Sequence, residues 1–172
     1  MATTPGANLD VLEFVVARQH DAVAAAQFEG LAAEYAGRYG GDPTQLRREL
    51  FDYPAEEFEP PTGVLVVALC NQEPVAGGAL RRYDSKTAEL KRIWTASAHR
   101  RRGYGRLVVA ELERRALLLG YTRVYLTTGW RQPEAVALYV SAGYTPLYDP
   151  RIPAAQVGPH PFEKRLTTED AG

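Results

Sequence analysis

One cysteine stands in 172 residues, Cys70, so no internal disulfide can form and the fold must be held by its own core. Cys70 lies in an apolar run of strand type, where a small buried thiol reads as a packing residue and not as a nucleophile. Histidine is almost as scarce. His20, His99 and His160 are scattered, and with one thiol they offer no metal-ligand spacing, so no metal is expected. The three serines, Ser85, Ser97 and Ser141, stand outside any G-x-S-x-G turn, which argues against a serine hydrolase. No apolar run approaches the ~20 residues that cross a bilayer, and no membrane partner is expected. Residues 1–10 carry neither the basic start nor the apolar stretch of a secretory signal, which makes the cytoplasm the expected location. Internal repeats and low-complexity segments are also lacking.

What is present is ordinary for a soluble globular chain: 45% hydrophobic and 24% charged residues, enough for one core and short for two. A single domain over 1–172 is expected, with loose ends at 1–8 and 168–172. The net charge of -1 conceals a sorting of charge along the chain. Residues 1–80 hold 12 acids against 4 bases, whereas residues 88–131 hold 10 bases against 3 acids. The second stretch suits an anionic partner, although one basic cluster in a neutral protein is poor grounds for nucleic acid, and none is expected.

Apolar patterning predicts a strand at 9–17 and a helix after Asp21. A shorter helix follows over 43–51, entered through Asp42 and Pro43. Residues 56–62 are acidic and proline-containing, hence loop. Three strands at 63–69, 74–82 and 88–95 form a meander joined by short turns. Val108, Leu112, Ala116 and Leu119 then mark a helical stripe closed by Gly120. A strand at 123–128, a helix from Pro133 to Gly143 and a strand near 160–166 complete the order. That order predicts a mixed α/β domain of α+β type on a mostly antiparallel sheet, with one helical crossover between parallel neighbours.

The most informative stretch is Arg100-Arg101-Arg102-Gly103-Tyr104-Gly105-Arg106, set between a strand and a helix. Backbone N–H groups at a helix start lack internal partners and carry the positive end of the dipole, so they suit a pyrophosphate. Gly103 and Gly105 let phosphates approach the chain, and the arginines add charge-assisted hydrogen bonds. There is no G-x-x-x-x-G-K-[ST] and no Rossmann spacing to compete. Taken alone, this motif is equally well read as a basic helix cap.

Glu89-Leu90-Lys91-Arg92-Ile93-Trp94-Thr95 followed by Arg100-x-x-Gly103-x-Gly105 resembles the R/Q-x-x-G-x-G/A signature of the GNAT acetyltransferases. Downstream, the run from Gln132 to Tyr144 is similar to that family's second motif, N-x-x-A-x-x-L-Y-x-x-x-G-F. The resemblance implies a six- to seven-stranded sheet flanked by about four helices, with the fourth strand bulged and splayed from the fifth into a wedge. It implies acetyl-CoA as acyl donor: its amide arm against the backbone of Ile93, Trp94 and Thr95, its pyrophosphate on residues 100–106. A main-chain N–H near Trp94 would face the thioester oxygen.

The same resemblance makes Tyr139 the acid for the departing thiolate and Glu89 the candidate base. Strand alternation places Glu89 on one face with Lys91 and Ile93, and an exposed strand carboxylate is the equal alternative. Some members of the family carry a glutamate on the fifth strand, where this chain has Thr127. Gln132 replaces the usual asparagine, which leaves its coenzyme contact open.

The implied reaction is acetyl transfer to a primary amine of a small molecule. A protein or peptide N-acetyltransferase and a non-catalytic acyl-CoA-binding module share the same coenzyme motifs and stay open. Asp52, Glu56, Glu57 and Glu59, with aromatic residues between them, suggest a cationic acceptor. A homodimer is compatible with these features.

Overall fold

The computed structural model describes residues 11–171. The element order is β1 (Glu13–Ala17), α1 (Ala25–Tyr39), α2 (Pro43–Asp52), β2 (Val64–Cys70), β3 (Glu73–Arg82), β4 (Thr87–Thr95), α3 (Tyr104–Leu118), β5 (Arg123–Thr128), α4 (Pro133–Ser141), β6 (Thr145–Pro146), α5 (Ala154–Val157) and β7 (His160–Arg165). The seven strands form one sheet in the order β1-β2-β3-β4-β5-β7-β6, antiparallel except where β4 and β5 run side by side through the α3 crossover. The start of the expected first strand and the expected loose segment 1–8 lie outside the described residues. Near the other end, Thr168–Ala171 forms a 3-10 turn in which Asp170 accepts a bond from the Thr167 amide at 2.7 Å.

Local chemistry accounts for most boundaries. The Asp42 carboxylate accepts from the Thr44 amide at 3.1 Å and Pro43 opens the helix, so α2 starts where a cap and a first-turn proline coincide. Asn71 and Gln72, both at positive φ, make the two-residue turn whose twist matches a β-hairpin. Gly120 and Gly143 take the left-handed conformation just past α3 and α4. The expected loop at 56–62 holds a 3-10 turn, Ala55–Phe58, which presses Phe58 into the core.

The sheet is covered on both faces. On one, α1 and α2 bury Phe28, Leu31, Phe58 and Trp94 against Leu65, Val67 and Ala79. On the other, α3 and α4 bury Val108, Leu112 and Tyr139 against Val66, Leu80, Leu90 and Phe162. Each such fully buried Leu or Phe contributes about 1.5–3 kcal/mol. No helix among the described residues is long and apolar enough to cross a membrane.

Tyr144 closes the second core with a buried hydroxyl that has no hydrogen-bond partner. Its ring stacks edge-on with Tyr139 at 5.7 Å. Tyr144→Phe keeps that ring contact and removes the unpaired hydroxyl. It is expected to raise stability by about 1 kcal/mol in denaturant unfolding, and a loss of stability would show that the hydroxyl is satisfied in solution.

Candidate active site

β4 and β5 pair only at Thr87↔Arg123, Ala88↔Val124 and Glu89↔Tyr125. Beyond Glu89 they diverge, leaving the β5-facing edge of β4 open. A bulge reinforces the divergence. The β3 register passes from Ala79↔Lys91 to Gly77↔Trp94, so Arg92 and Ile93 together oppose Gly78. Arg92 takes φ 63, unusual for a residue with a Cβ, and the buried Gln27 side chain donates to its carbonyl at 2.8 Å.

The glycines on β3 make this possible. A Cβ at Gly77 would overlap the Gln27 amide, and one at Gly78 would crowd Ile93, Leu112 and Val108. In the same way α1 sits close to β4 because Gly30 leaves room for the Trp94 indole.

The bulge corrects one expectation from the sequence. Glu89 and Ile93 do not share a face, because the extra residue at Arg92 reverses the alternation. Ile93 packs toward α3, whereas Glu89 lies on the α1/α2 side, 3.0 Å from Arg81 Nε. Arg81 in turn donates to the Tyr53 hydroxyl at 2.8 Å and to Glu57 at 2.7 Å. The Tyr53 hydroxyl bonds the same Glu57 carboxylate, and with Arg81 it holds the Glu57 carboxyl below its usual range. Two members of the acidic loop are thus already engaged: Glu57 here, and Glu59 with Arg18 at 3.7 Å.

After β4 a 3-10 turn, Ser97–His99, leads into the arginine loop. Arg101 and Gly103 both adopt left-handed backbone, φ 64 and 79, and turn the chain into α3. The N-cap residue, Gly103, has no side chain with which to cap this helix. Gly105 lies against Thr95 and Leu138, close enough that an added Cβ would sit 3.3 Å from Leu138 Cδ2.

Across the fork, α4 is preceded by Gln132, whose side-chain oxygen accepts from Thr128 Oγ1 at 2.8 Å instead of capping the helix. Seven residues on, Tyr139 is 5% exposed and packs on Phe162 and Tyr144. Burial pushes its phenol well above the ordinary tyrosine range, with a smaller push from Tyr35, so it stays protonated through neutral pH.

These elements enclose a cleft of about 550 Å³. Ile93, Trp94 and Thr95 line it from β4, and Gln132 and Tyr139 line it from α4. From the loop and the start of α3 come Arg100, Arg101, Gly103, Tyr104, Gly105 and Arg106. Arg102 is exposed and does not line the cleft. Nor does Glu89, which sits at the vertex of the fork, and Thr127 is exposed on β5.

Sequence reasoning missed the contribution of α1. Leu31, Glu34, Tyr35 and Arg38 form part of the cleft wall. Glu34 pairs with Arg38 at 3.2 Å and with Arg100 at 3.2 Å, and Arg38 also pairs with Glu134. Arg38 and Arg131 exchange side-chain bonds to each other's carbonyls, at 2.7 and 2.8 Å. The polar pair at i, i+4 on α1 was the available signal, but nothing local says that it faces α4 and the loop.

The residues from 27 to 144 match the acetyltransferase (GNAT) family, and the chain belongs to that family: it is an acyltransferase. The fold agrees with solved structures. An acetyltransferase from Streptococcus agalactiae superposes with a TM-score of 0.71 at 19% identity, covering 90% of this chain and 98% of that one. The PaiA N-acetyltransferase of Thermoplasma acidophilum, solved with coenzyme A, gives 0.71 at 15% identity over 91% and 99%. Salmonella typhimurium YncA, solved with its cofactor acetyl-CoA, gives 0.65 at 16% identity over 91% and 95%. No curated protein matches the chain.

Proposed function

We propose that the protein transfers the acetyl group of acetyl-CoA directly to a primary amine of a small molecule. The observation that carries this reading is the start of α3, with Gly103 and Gly105, opening into the same cleft as the fork in the sheet and the buried Tyr139.

The residues fit the coenzyme. The α3 amides, with Arg100, Arg101 and Arg106, hold a diphosphate by the positive end of the helix and by charge-assisted bonds. Arg102 adds only its charge to the approach of the anion. The open edge of β4 at Ile93, Trp94 and Thr95 accepts an extended amide chain as an added strand would be accepted. Gln132 borders the same channel.

The coenzyme supplies an acyl group already activated as a thioester, so no covalent bond to the protein is required. A main-chain N–H near Trp94 donates to the acyl oxygen as negative charge grows there. Tyr139, kept protonated by burial, gives its proton to the departing sulfur. Glu89, held by Arg81 on the α1/α2 side of the fork, takes the proton of the incoming amine through water. Arg38, which lines the cleft, ties α1 to Glu134 of α4 and to Arg131 just before it, and this bridging of the cleft wall supports a small acceptor over a protein surface.

The test is to follow free thiol from acetyl-CoA with a panel of small amines and short peptides, alongside calorimetry of coenzyme binding. Thiol release with small amines is expected. Release only with peptides would move the acceptor class, and coenzyme binding without release for any acceptor would leave a binding module.

A further inference from the structure

Arg92 is a cation without a counter-charge. It is half-buried, and its Nε is buried with no hydrogen-bond partner. Its guanidinium lies over the rings of Tyr53 and Phe58, 5.0 and 5.6 Å from their centroids. That contact satisfies the face of the group. The N–H donors lie in the plane at its edge, and the buried Nε–H among them has no acceptor.

The neighbouring carboxylates are engaged elsewhere, since Glu57 and Glu89 both lie against Arg81. Among the described residues no carboxylate pairs with Arg92, and Lys91 and Arg81 on the same face add positive charge beside it. Burial draws the Arg92 guanidinium below its usual range, and only the phenols of Tyr35 and Tyr53 oppose that effect. Leaving a charge in such a place without a partner is costly, which makes the site selective for an anion.

The side chain is where it is because of the bulge. Left-handed backbone at Arg92, pinned by Gln27 through its carbonyl, sends the guanidinium to the α1/α2 side, the side of Glu89. Arg92 stands two residues before Trp94. Arg92 itself stands outside the cleft lining, immediately before Ile93 and Trp94, which line the cleft together with Tyr35.

We infer that Arg92 receives a carboxylate carried by the acceptor, so that the substrate class is an amine and a carboxylate within one small molecule, as in an amino acid. The inference rests on the transferase reading and deepens it. A planar carboxylate meets the guanidinium edge with two parallel bonds, which fixes the amine relative to the fork. It replaces the cationic acceptor suggested by the acidic loop.

The experiment compares matched acceptors, an amino acid and the same amine lacking the carboxylate, in wild type, Arg92→Gln and Arg92→Asn. The asparagine variant suits the left-handed backbone. Wild type should favour the carboxylate-bearing member by about 10- to 100-fold in kcat/KM. Both variants should lose that preference through KM for the carboxylate-bearing acceptor, with the KM for acetyl-CoA unchanged. Equal use of the two members by wild type would overturn the inference, as would variants that lower both members alike. Should the variants not fold, the wild-type ratio alone decides. Calorimetric binding of acetyl-CoA, measured separately, keeps failure of the transferase reading distinct from failure of this one.

Discussion

Tyr139→Phe is expected to lower kcat by about 10²- to 10⁴-fold, the range for removing a positioned proton donor, without changing affinity for the coenzyme. The substitution deletes one oxygen. The ring remains packed on Phe162 at 5.9 Å and on Tyr144 at 5.7 Å, so folding and the shape of the cleft are preserved. Because burial holds the phenol above its ordinary pKa near 10, wild-type kcat should show no alkaline fall through that pH from loss of this proton. The measurement is thiol release under saturating coenzyme across pH, with calorimetry on both proteins. A variant with undiminished kcat would show that the leaving sulfur takes its proton from elsewhere.

Gly105→Asp should abolish productive coenzyme binding while leaving the helix intact. Gly105 is the second residue of α3 and has ordinary helical backbone, so a side chain is tolerated conformationally once Leu138 Cδ2, 3.3 Å from the added Cβ, gives by a few tenths of an ångström. An acidic residue in the first turn even favours the helix. The same carboxylate would stand in the cleft where the α3 amides meet the diphosphate, and like charges at such a distance cost several kcal/mol. The expected weakening of acetyl-CoA binding is therefore at least about 100-fold, or 2.7 kcal/mol. Calorimetry measures it, and thermal unfolding checks that the variant is folded. Undiminished binding would place the diphosphate elsewhere, and the transferase reading would lose its main support.

Local signals carried much of this protein into view. The hairpin turn at Asn71 and Gln72, the Asp42-Pro43 helix start, and the glycines that end α3 and α4 are decided by backbone preferences of a few adjacent residues. Arg100 to Arg106 was legible for the same reason, because a strand, a glycine-bearing turn and a helix start are consecutive in the chain. Tyr139 needed only its spacing from Gln132 on one helix.

Contacts between distant segments were not legible. The bulge at Arg92 depends on Gly77 and Gly78 across the sheet and on Gln27 from a helix, so strand alternation alone put Glu89 and Ile93 on the same face. The acidic loop suggested an attraction for cations, and the sequence could not say that two of its four carboxylates, Glu57 and Glu59, meet Arg81 and Arg18. Charge composition says which ions a segment carries, and only packing says which of them are already paired.

By itself, then, the amino-acid order determined the sequence of strands and helices, the helix start that suits a diphosphate and the membership of an acyltransferase family. Periodicity, caps and turns act within a few residues, and the motifs are contiguous. Tertiary structure alone decided that α1 walls the cleft, that Arg102 stands outside it, and that Arg92 is left without a counter-ion. Each of those facts concerns what meets a side chain across tens of residues of chain, where pairing and burial are set by the whole sheet and no local preference reaches.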